Sequence, residues 1–225
     1  MRPEDCQLFS GLPLTLDEFT REMRQGPAER FAACHMTEAM SDMDGRPWQV
    51  GRTAWTDEDI GSVWEAMHEP HRGDYWLLRG TLDEVASSAG TRRGVDVREG
   101  VSGDVFTRDV RSTGARVITL VAHWAGDQIE FRDGLWPVRL VAEAFAPGFD
   151  GTIDLTVCTS SLLHDAIRRR LGSTPRIIFN RSAAYLSLRI AAYRLAVRLL
   201  GELAPISYID AYSEAWSRIR GTAGV

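Results

Sequence analysis

The chain has 225 residues, of which 44% are hydrophobic and 25% are charged. These values are typical of globular proteins and argue against general disorder. The net charge is −5 at pH 7, so the chain lacks the basic character that nucleic-acid-binding proteins show.

The three cysteines, Cys6, Cys34 and Cys158, have neither the spacing of a disulfide framework nor that of a zinc finger. We therefore expect a reducing compartment, no metal site and no other cofactor. The first residues do not have the pattern of a secretory signal, and no apolar run is long enough to predict a transmembrane helix. The sequence thus predicts a cytoplasmic protein that binds neither nucleic acid nor membrane.

Residues 1–73 show no regular succession of strands and helices. They also lack an apolar pattern able to form a core of their own. We expect them to be an N-terminal extension packed on the main domain, and residues 74–225 to form that domain.

From residue 75 onward, predicted strands alternate with predicted helices. Strands are predicted at 75–78, 95–97, 116–122, 153–157 and 176–179, with a hairpin arm at 128–131. Helices are predicted at 81–89, 103–110, 137–145, 161–171, 183–203 and 209–219. This alternation predicts an α/β fold: a three-layer sandwich in which helices cover both faces of a mainly parallel sheet.

Two of the predicted strands run into residues that can carry chemistry. His123 follows the strand at 116–122, and Cys158 follows the strand at 153–157. Ligands of open α/β sheets bind beyond the carboxyl ends of the strands, and neighbouring strands lie about 5 Å apart. If the two strands are neighbours, a thiol and an imidazole face one substrate bond. The thiolate can then attack a carbonyl carbon while the histidine protonates the departing amine.

The helix predicted from about residue 161 begins shortly after Cys158. Its N-terminal dipole favours the thiolate, which lowers the pKa of the thiol. Backbone N–H groups around Cys158 can also stabilise an oxyanion.

These segments resemble the caspase-like family of cysteine peptidases. Residues 116–123, Arg-Val-Ile-Thr-Leu-Val-Ala-His, resemble its strand-then-histidine block, and residues 153–160, Ile-Asp-Leu-Thr-Val-Cys-Thr-Ser, resemble its strand-then-cysteine block. The hairpin at 129–134 falls where caspase relatives carry one. The resemblance is closest to the CHAT group of bacterial caspase relatives and extends over about residues 75–179.

The resemblance implies a caspase-like fold and a thiol-dependent endopeptidase that cleaves a protein partner, in a bacterial defence or cell-death pathway and under the control of an activating protein. It implies Cys158 as nucleophile, His123 as acid/base partner, and the N–H groups of Trp124 and Cys158 as the oxyanion hole. The chain departs from the family in two ways. Trp124 stands where caspase relatives have glycine, and the Gln-Ala-Cys-Arg-Gly signature of animal caspases is absent.

Trp124 therefore supports two interpretations. In the first, the indole covers the cleft of an active enzyme until a partner or substrate moves it. In the alternative, the protein is a catalytically inactive adaptor or interaction module whose cleft is filled by Trp124.

Two residues give opposite predictions of substrate specificity. Asp154 shares a strand face with Thr156 and Cys158 by period-two alternation, so it can line a pocket for a basic side chain or order the strand-to-loop backbone. Arg79 ends the first predicted strand, near the place where caspases hold an acidic substrate side chain with an arginine, although the sequence favours an ordinary surface arginine. The sequence leaves the substrate preference open.

Overall fold

The structure, a computed structural model, describes residues 1–11, 81, 84–85, 94–157, 160–179, 186–203 and 205–223. In chain order, the strands and α-helices that lie wholly or mainly in these residues are β1 (Cys6–Ser10), β2 (Asp96–Arg98), α1 (Gly103–Ser112), β3 (Val117–Val121), β4 (Trp124–Ala125), β5 (Gln128–Phe131), β6 (Gly134–Pro137), α2 (Val138–Glu143), β7 (Thr152–Thr156), α3 (Ser161–Leu171), β8 (Arg176–Ile178), α4 (Leu186–Glu202) and α5 (Tyr208–Ala223).

Five of the strands form one parallel sheet in the order β2-β1-β3-β7-β8. The other three form a small antiparallel sheet in the order β4-β5-β6, which leaves the main sheet directly after β3. Helices pack on both faces of the parallel sheet, so the predicted α/β three-layer sandwich is confirmed.

Each face of the sheet has its own apolar core. On one face the strands pack against α4 and α5, and this first core cluster includes Cys6, Leu8, Val117, Val121, Ile190, Tyr193, Val197, Leu200, Tyr208 and Tyr212. On the other face they pack against α1, α2, α3 and the hairpin, and this second core cluster includes Phe9, Phe106, Ile118, Leu120, Ile129, Phe131, Val141, Phe145, Ile153, Leu155 and Leu163. In β3, Val117 and Val121 belong to the first cluster, and Ile118 and Leu120 to the second, as the pleat of a buried strand requires. In β7, Ile153 and Leu155 belong to the second cluster, and Asp154 between them faces α4.

The N-terminal strand is the main departure from the sequence-based expectation. Residues 1–73 were expected to lie outside the sheet as an extension, but Cys6–Ser10 form β1, between β2 and β3. The sequence gives little sign of this strand, because the five residues between the polar start of the chain and Gly11 are too few to show a strand pattern. The predicted domain boundary near residue 73 lies outside the described residues.

The other predicted elements agree with the structure within a few residues where they are described. The helix predicted at 161–171 and the hairpin arm predicted at 128–131 have the predicted bounds. The strand predicted at 75–78 lies outside the described residues. Of the helix predicted at 81–89, Thr81, Glu84 and Val85 are described, and each is helical.

Candidate functional site

The strands that precede His123 and Cys158 are neighbours in the sheet. β3 and β7 are parallel, and Val121 is the register partner of Thr156. His123 comes two residues after Val121, and Cys158 comes two residues after Thr156. The condition on which the pairing of the two residues depends, that their strands are neighbours, is therefore met. Residues 158–159 lie outside the described part of the chain. That the Cys158 thiol and the His123 ring face one substrate bond therefore stays a prediction.

Helix α3 begins at the predicted position, three residues after Cys158. Ser160, which precedes the helix, is fully buried, and its carbonyl oxygen accepts the His164 N–H at 2.9 Å. The last turn carries Arg168, Arg169 and Arg170, which complement the negative end of the helix dipole. The positive end of this dipole lies at the N-terminus of α3, next in sequence to residues 158–159.

His123 lies at the junction between the parallel sheet and the hairpin. Its side chain is partly exposed, and its carbonyl oxygen accepts the Glu130 N–H at 3.1 Å. The hairpin closes through the two residues Gly126 and Asp127, where Gly126 has a φ of 67°. A positive φ at this position suits glycine, which has no Cβ to clash with the backbone.

Trp124 packs its indole on the core. It is the register partner of Ile129, which belongs to the second core cluster, and the partly buried Trp124 side chain packs against that cluster. Because side chains alternate along a strand, the indole lies on the opposite face of β4 from the His123 ring. The expectation that Trp124 covers the substrate cleft is therefore wrong for the described residues. The indole instead packs the hairpin against the second core cluster.

The backbone N–H of Trp124 is directed away from the partner strand β5. Glu130 N–H donates to His123 O, so Trp124 and Ile129 are the non-hydrogen-bonded pair of this ladder. The Trp124 N–H consequently points away from β5, toward the edge of the small sheet. An N–H in this position is oriented for an acceptor from outside the hairpin.

Asp154 is buried in an internal ion pair. Its side chain has no exposed surface, its Oδ1 accepts from Arg189 Nη2 at 2.7 Å, and its Oδ2 accepts from the Tyr208 hydroxyl at 2.6 Å. Arg189 also donates to the carbonyl oxygen of Leu155 at 3.1 Å, and its guanidinium lies 5.4 Å from the centre of the Tyr212 ring. These contacts fasten α4 and α5 to β7.

This environment corrects the expectation that Asp154 lines a pocket for a basic substrate side chain. Burial raises the pKa of Asp154, and the Arg189 guanidinium and the Tyr208 hydroxyl oppose that rise. The Asp154 carboxylate thus forms an ion pair inside the protein, and Arg189 occupies the place that a substrate cation would take. Sequence reasoning missed both partners, because Arg189 is 35 residues away and Tyr208 is 54 residues away.

A second histidine lies on α3. The His164 ring stacks on Phe179 at a centroid distance of 4.0 Å, and its Nδ1 lies 2.8 Å from Asp165 Oδ1. Its Nε2 accepts from Arg168 Nε at 3.4 Å. Both ring nitrogens of His164 therefore contact neighbours on its own helix.

Arg79 and Cys34 lie outside the described residues. Cys6 is a free thiol in β1, and burial raises its pKa to about 12.

Within the described ranges, no group of three or more His, Cys, Asp or Glu side chains is arranged to hold a metal ion. None of the helices described there is both long and apolar enough to cross a membrane.

Comparison with models of known protein families found none that matches this chain, and a search of curated proteins found no match.

Proposed function

We propose that the protein is a thiol-dependent endopeptidase of the caspase-like type, with Cys158 as the nucleophile and His123 as the acid/base residue. The observation that supports the proposal is the register of β3 and β7. It pairs Val121 with Thr156, and the two reactive residues follow these positions by the same number of residues. By strand alternation, His123 lies on the same face of the sheet as Val121, which α4 and α5 cover.

The reaction divides into two steps. In the first, the Cys158 thiolate attacks the carbonyl carbon of the scissile peptide bond, the C–N bond breaks, and His123 donates a proton to the departing amine. In the second, water attacks the resulting thioester, His123 accepts a proton from that water, and the thiolate leaves. The products are a carboxylic acid and an amine, and the enzyme returns to its initial state.

Two features of the fold support this chemistry. The N-terminus of α3 favours the thiolate, because the unpaired N–H groups of a first helical turn carry partial positive charge. The outward N–H of Trp124, together with that of Cys158, is the oxyanion donor that the proposal requires.

We further propose that the substrate is a protein and that the enzyme acts in the cytoplasm, where reducing conditions keep Cys158 reduced. Arg79 is the residue assigned to substrate selection, since Asp154 is already neutralised by Arg189. This assignment predicts cleavage after acidic residues. The same family resemblance implies that the enzyme acts in a bacterial defence or cell-death pathway. It also implies that a partner protein activates the enzyme.

Cleavage of a peptide library tests the proposal. Peptides from a digested bacterial proteome, with their amino termini blocked, are incubated with the protein, and new amino termini are identified by mass spectrometry. We expect new termini with the wild-type protein and none with Cys158→Ala, which should fold normally. His123→Ala should lower turnover by about 10²-fold, as the loss of an acid/base residue does.

Three outcomes would contradict parts of this proposal. Unchanged cleavage by Cys158→Ala would remove Cys158 from the nucleophile role. Unchanged turnover by His123→Ala would transfer the acid/base role to another residue, with His164 the first to be tested. No cleavage by the wild-type protein would favour the inactive adaptor over the peptidase.

A further inference from the structure

A cavity of about 600 Å³ lies at the carboxyl edge of the parallel sheet, next to the end of β2. Its walls come from three parts of the fold: residues 97–102, the first two turns of α1, and Arg132 and Asp133 at the end of the hairpin arm β5. Ligands of open α/β sheets bind beyond the carboxyl ends of the strands, and small-molecule sites have volumes of about 300–1,000 Å³. The position and the size of this cavity therefore suit a small ligand.

Hydrogen bonds fasten the walls of the cavity to one another. The Val101 N–H donates to Ser10 O at 3.0 Å, and the Arg132 N–H donates to Val101 O at 3.1 Å. The Gly103 N–H donates to Asp133 Oδ1 at 2.8 Å. The segment between β2 and α1 is thus joined both to the end of β1 and to the hairpin, so the cavity is formed before any ligand binds.

Three arginines from three different parts of the fold line this cavity: Arg98 in β2, Arg108 in α1 and Arg132 after β5. Arg98 Nε lies 3.0 Å from Asp96 Oδ1, and Arg108 Nε lies 2.9 Å from Asp109 Oδ1. Both arginines are exposed, and exposed ion pairs contribute little to stability. Each guanidinium also keeps N–H groups outside its pair, so both arginines can donate to a ligand.

Arg132 differs from the other two arginines because its charge is not paired. Within the part of the chain that the structure describes, no hydrogen bond or ion pair engages its side chain. The carboxylates of the cavity, by contrast, have partners: Asp109 and Asp133 accept from donors of the protein, and Glu99 has an interaction of its own. The guanidinium of Arg132 therefore has both charge and N–H donors available for a ligand.

The charge of the lining limits the kind of ligand. Three guanidinium groups and three carboxylates, those of Glu99, Asp109 and Asp133, line the cavity, so the lining is neutral overall. A ligand with several negative charges would be repelled by these carboxylates, whereas a single negative charge matches the unpaired guanidinium of Arg132. A guanidinium binds a planar carboxylate through two parallel hydrogen bonds. The lining thus favours a ligand with one carboxylate.

We propose that this cavity binds a small organic molecule with a single carboxylate, which is held by Arg132 and by N–H groups of Arg98 and Arg108. The N-terminus of α1 is not needed for this binding, because Asp133 and the Ser102 hydroxyl already cap it. β1 and β3 separate β2 from β7, so the cavity is distinct from the end of β7, after which the proposed nucleophile lies. The inference therefore goes beyond the proposed function and does not depend on it.

NMR titration of the arginine side chains with sodium benzoate tests the site. The Nε–H signals of Arg132 and Arg169 are assigned by their loss in Arg132→Gln and Arg169→Gln. We expect a saturable shift of the Arg132 signal and none of the Arg169 signal, because Arg169 is also exposed but lies on α3, away from the cavity. Arg132→Gln should weaken benzoate binding about tenfold or more, as the loss of a charge-assisted pair does, and Arg169→Gln should leave it unchanged.

Arg132→Lys keeps the charge but cannot form two parallel hydrogen bonds, so its affinity for benzoate should be intermediate. Circular dichroism checks the fold of each variant, and Cys158→Ala should bind benzoate as the wild-type protein does. Inorganic phosphate, added at about pH 8 to carry a second negative charge, should bind more weakly than benzoate. The absence of a saturable shift, equal weakening by Arg132→Gln and Arg169→Gln, or tighter binding of phosphate would overturn the inference.

Discussion

At the scale of single residues, the most informative contact is the ion pair of Asp154 and Arg189. The pair is buried, with exposed side-chain fractions of 0% and 6%, and lies below the carboxyl end of β7. Exposed ion pairs contribute little to stability, but breaking a buried one leaves an uncompensated charge inside the protein. Asp154 is therefore a residue on which folding depends, and the sequence could not show this.

We predict that Asp154→Asn lowers the free energy of unfolding by about 3–5 kcal/mol, because Arg189 loses its countercharge in a buried site. Urea denaturation measures the loss. Glu214→Gln is the matched control, since Glu214 forms an exposed pair with Arg218 at the same 2.7 Å distance, and it should cost less than about 1 kcal/mol. Equal stability of Asp154→Asn and the wild-type protein, with altered cleavage specificity, would restore the pocket interpretation.

At the scale of the elements, the position of the hairpin depends on close backbone contacts. Gly11 continues β1, and its N–H donates to Val121 O at 2.9 Å. A Cβ on Gly11 would lie 2.7 Å from the carbonyl oxygen of Glu130, closer than real Cβ atoms approach. The hairpin can lie against β1 only because residue 11 has no side chain.

We predict that Gly11→Ala displaces the hairpin and destabilises the protein by about 1–3 kcal/mol, as overpacking of a close contact does. Gly114→Ala is the control, because a Cβ there meets no atom within 4 Å. Urea denaturation compares the two, and the His123 NMR signal should move only in Gly11→Ala. Equal stability and unchanged signals in both variants would show that the hairpin is not held by this contact.

The elements also show which parts of the structure were accessible from sequence. The α3 helix and the strands before His123 and Cys158 were predictable, because apolar periodicity and local caps determine them. The partners of Asp154 were not accessible, since contacts across 35 and 54 residues leave no local pattern.

At the scale of the whole molecule, burial of ionisable groups makes the free energy of unfolding fall at alkaline pH. Burial raises the pKa of the Cys6 thiol from 9.0 to about 12, and burial also raises the pKa of Tyr208 well above its ordinary value. The folded protein thus holds the Cys6 proton more tightly than the unfolded chain does. The protonated Cys6 thiol therefore contributes to the free energy of unfolding. Its contribution is complete below about pH 9 and is lost as the pH rises toward 12.

We predict that the free energy of unfolding falls by about 1 kcal/mol between pH 9 and pH 10 on account of Cys6. Urea denaturation of the wild-type protein and of Cys6→Ala at these two pH values measures it. Cys6→Ala should be less stable at pH 8 because it leaves a cavity, but its stability should depend less on pH. The same pH dependence in both proteins would show that Cys6 is not the group responsible.

The account as a whole depends on Cys158 and His123 forming one reactive pair, and the rate of alkylation of Cys158 tests this most directly. The chain contains no lysine, and the raised pKa of Cys6 keeps that thiol protonated, so Cys34 is the competing thiol whose alkylation must be separated from that of Cys158. The modified residue is identified by mass spectrometry, with Cys158→Ala as the reference. We predict that Cys158 reacts rapidly even near pH 6, and that His123→Ala shifts the midpoint of its pH–rate profile to about 8.5, the pKa of an ordinary thiol. A midpoint near 8.5 in both proteins would contradict the pairing of Cys158 with His123.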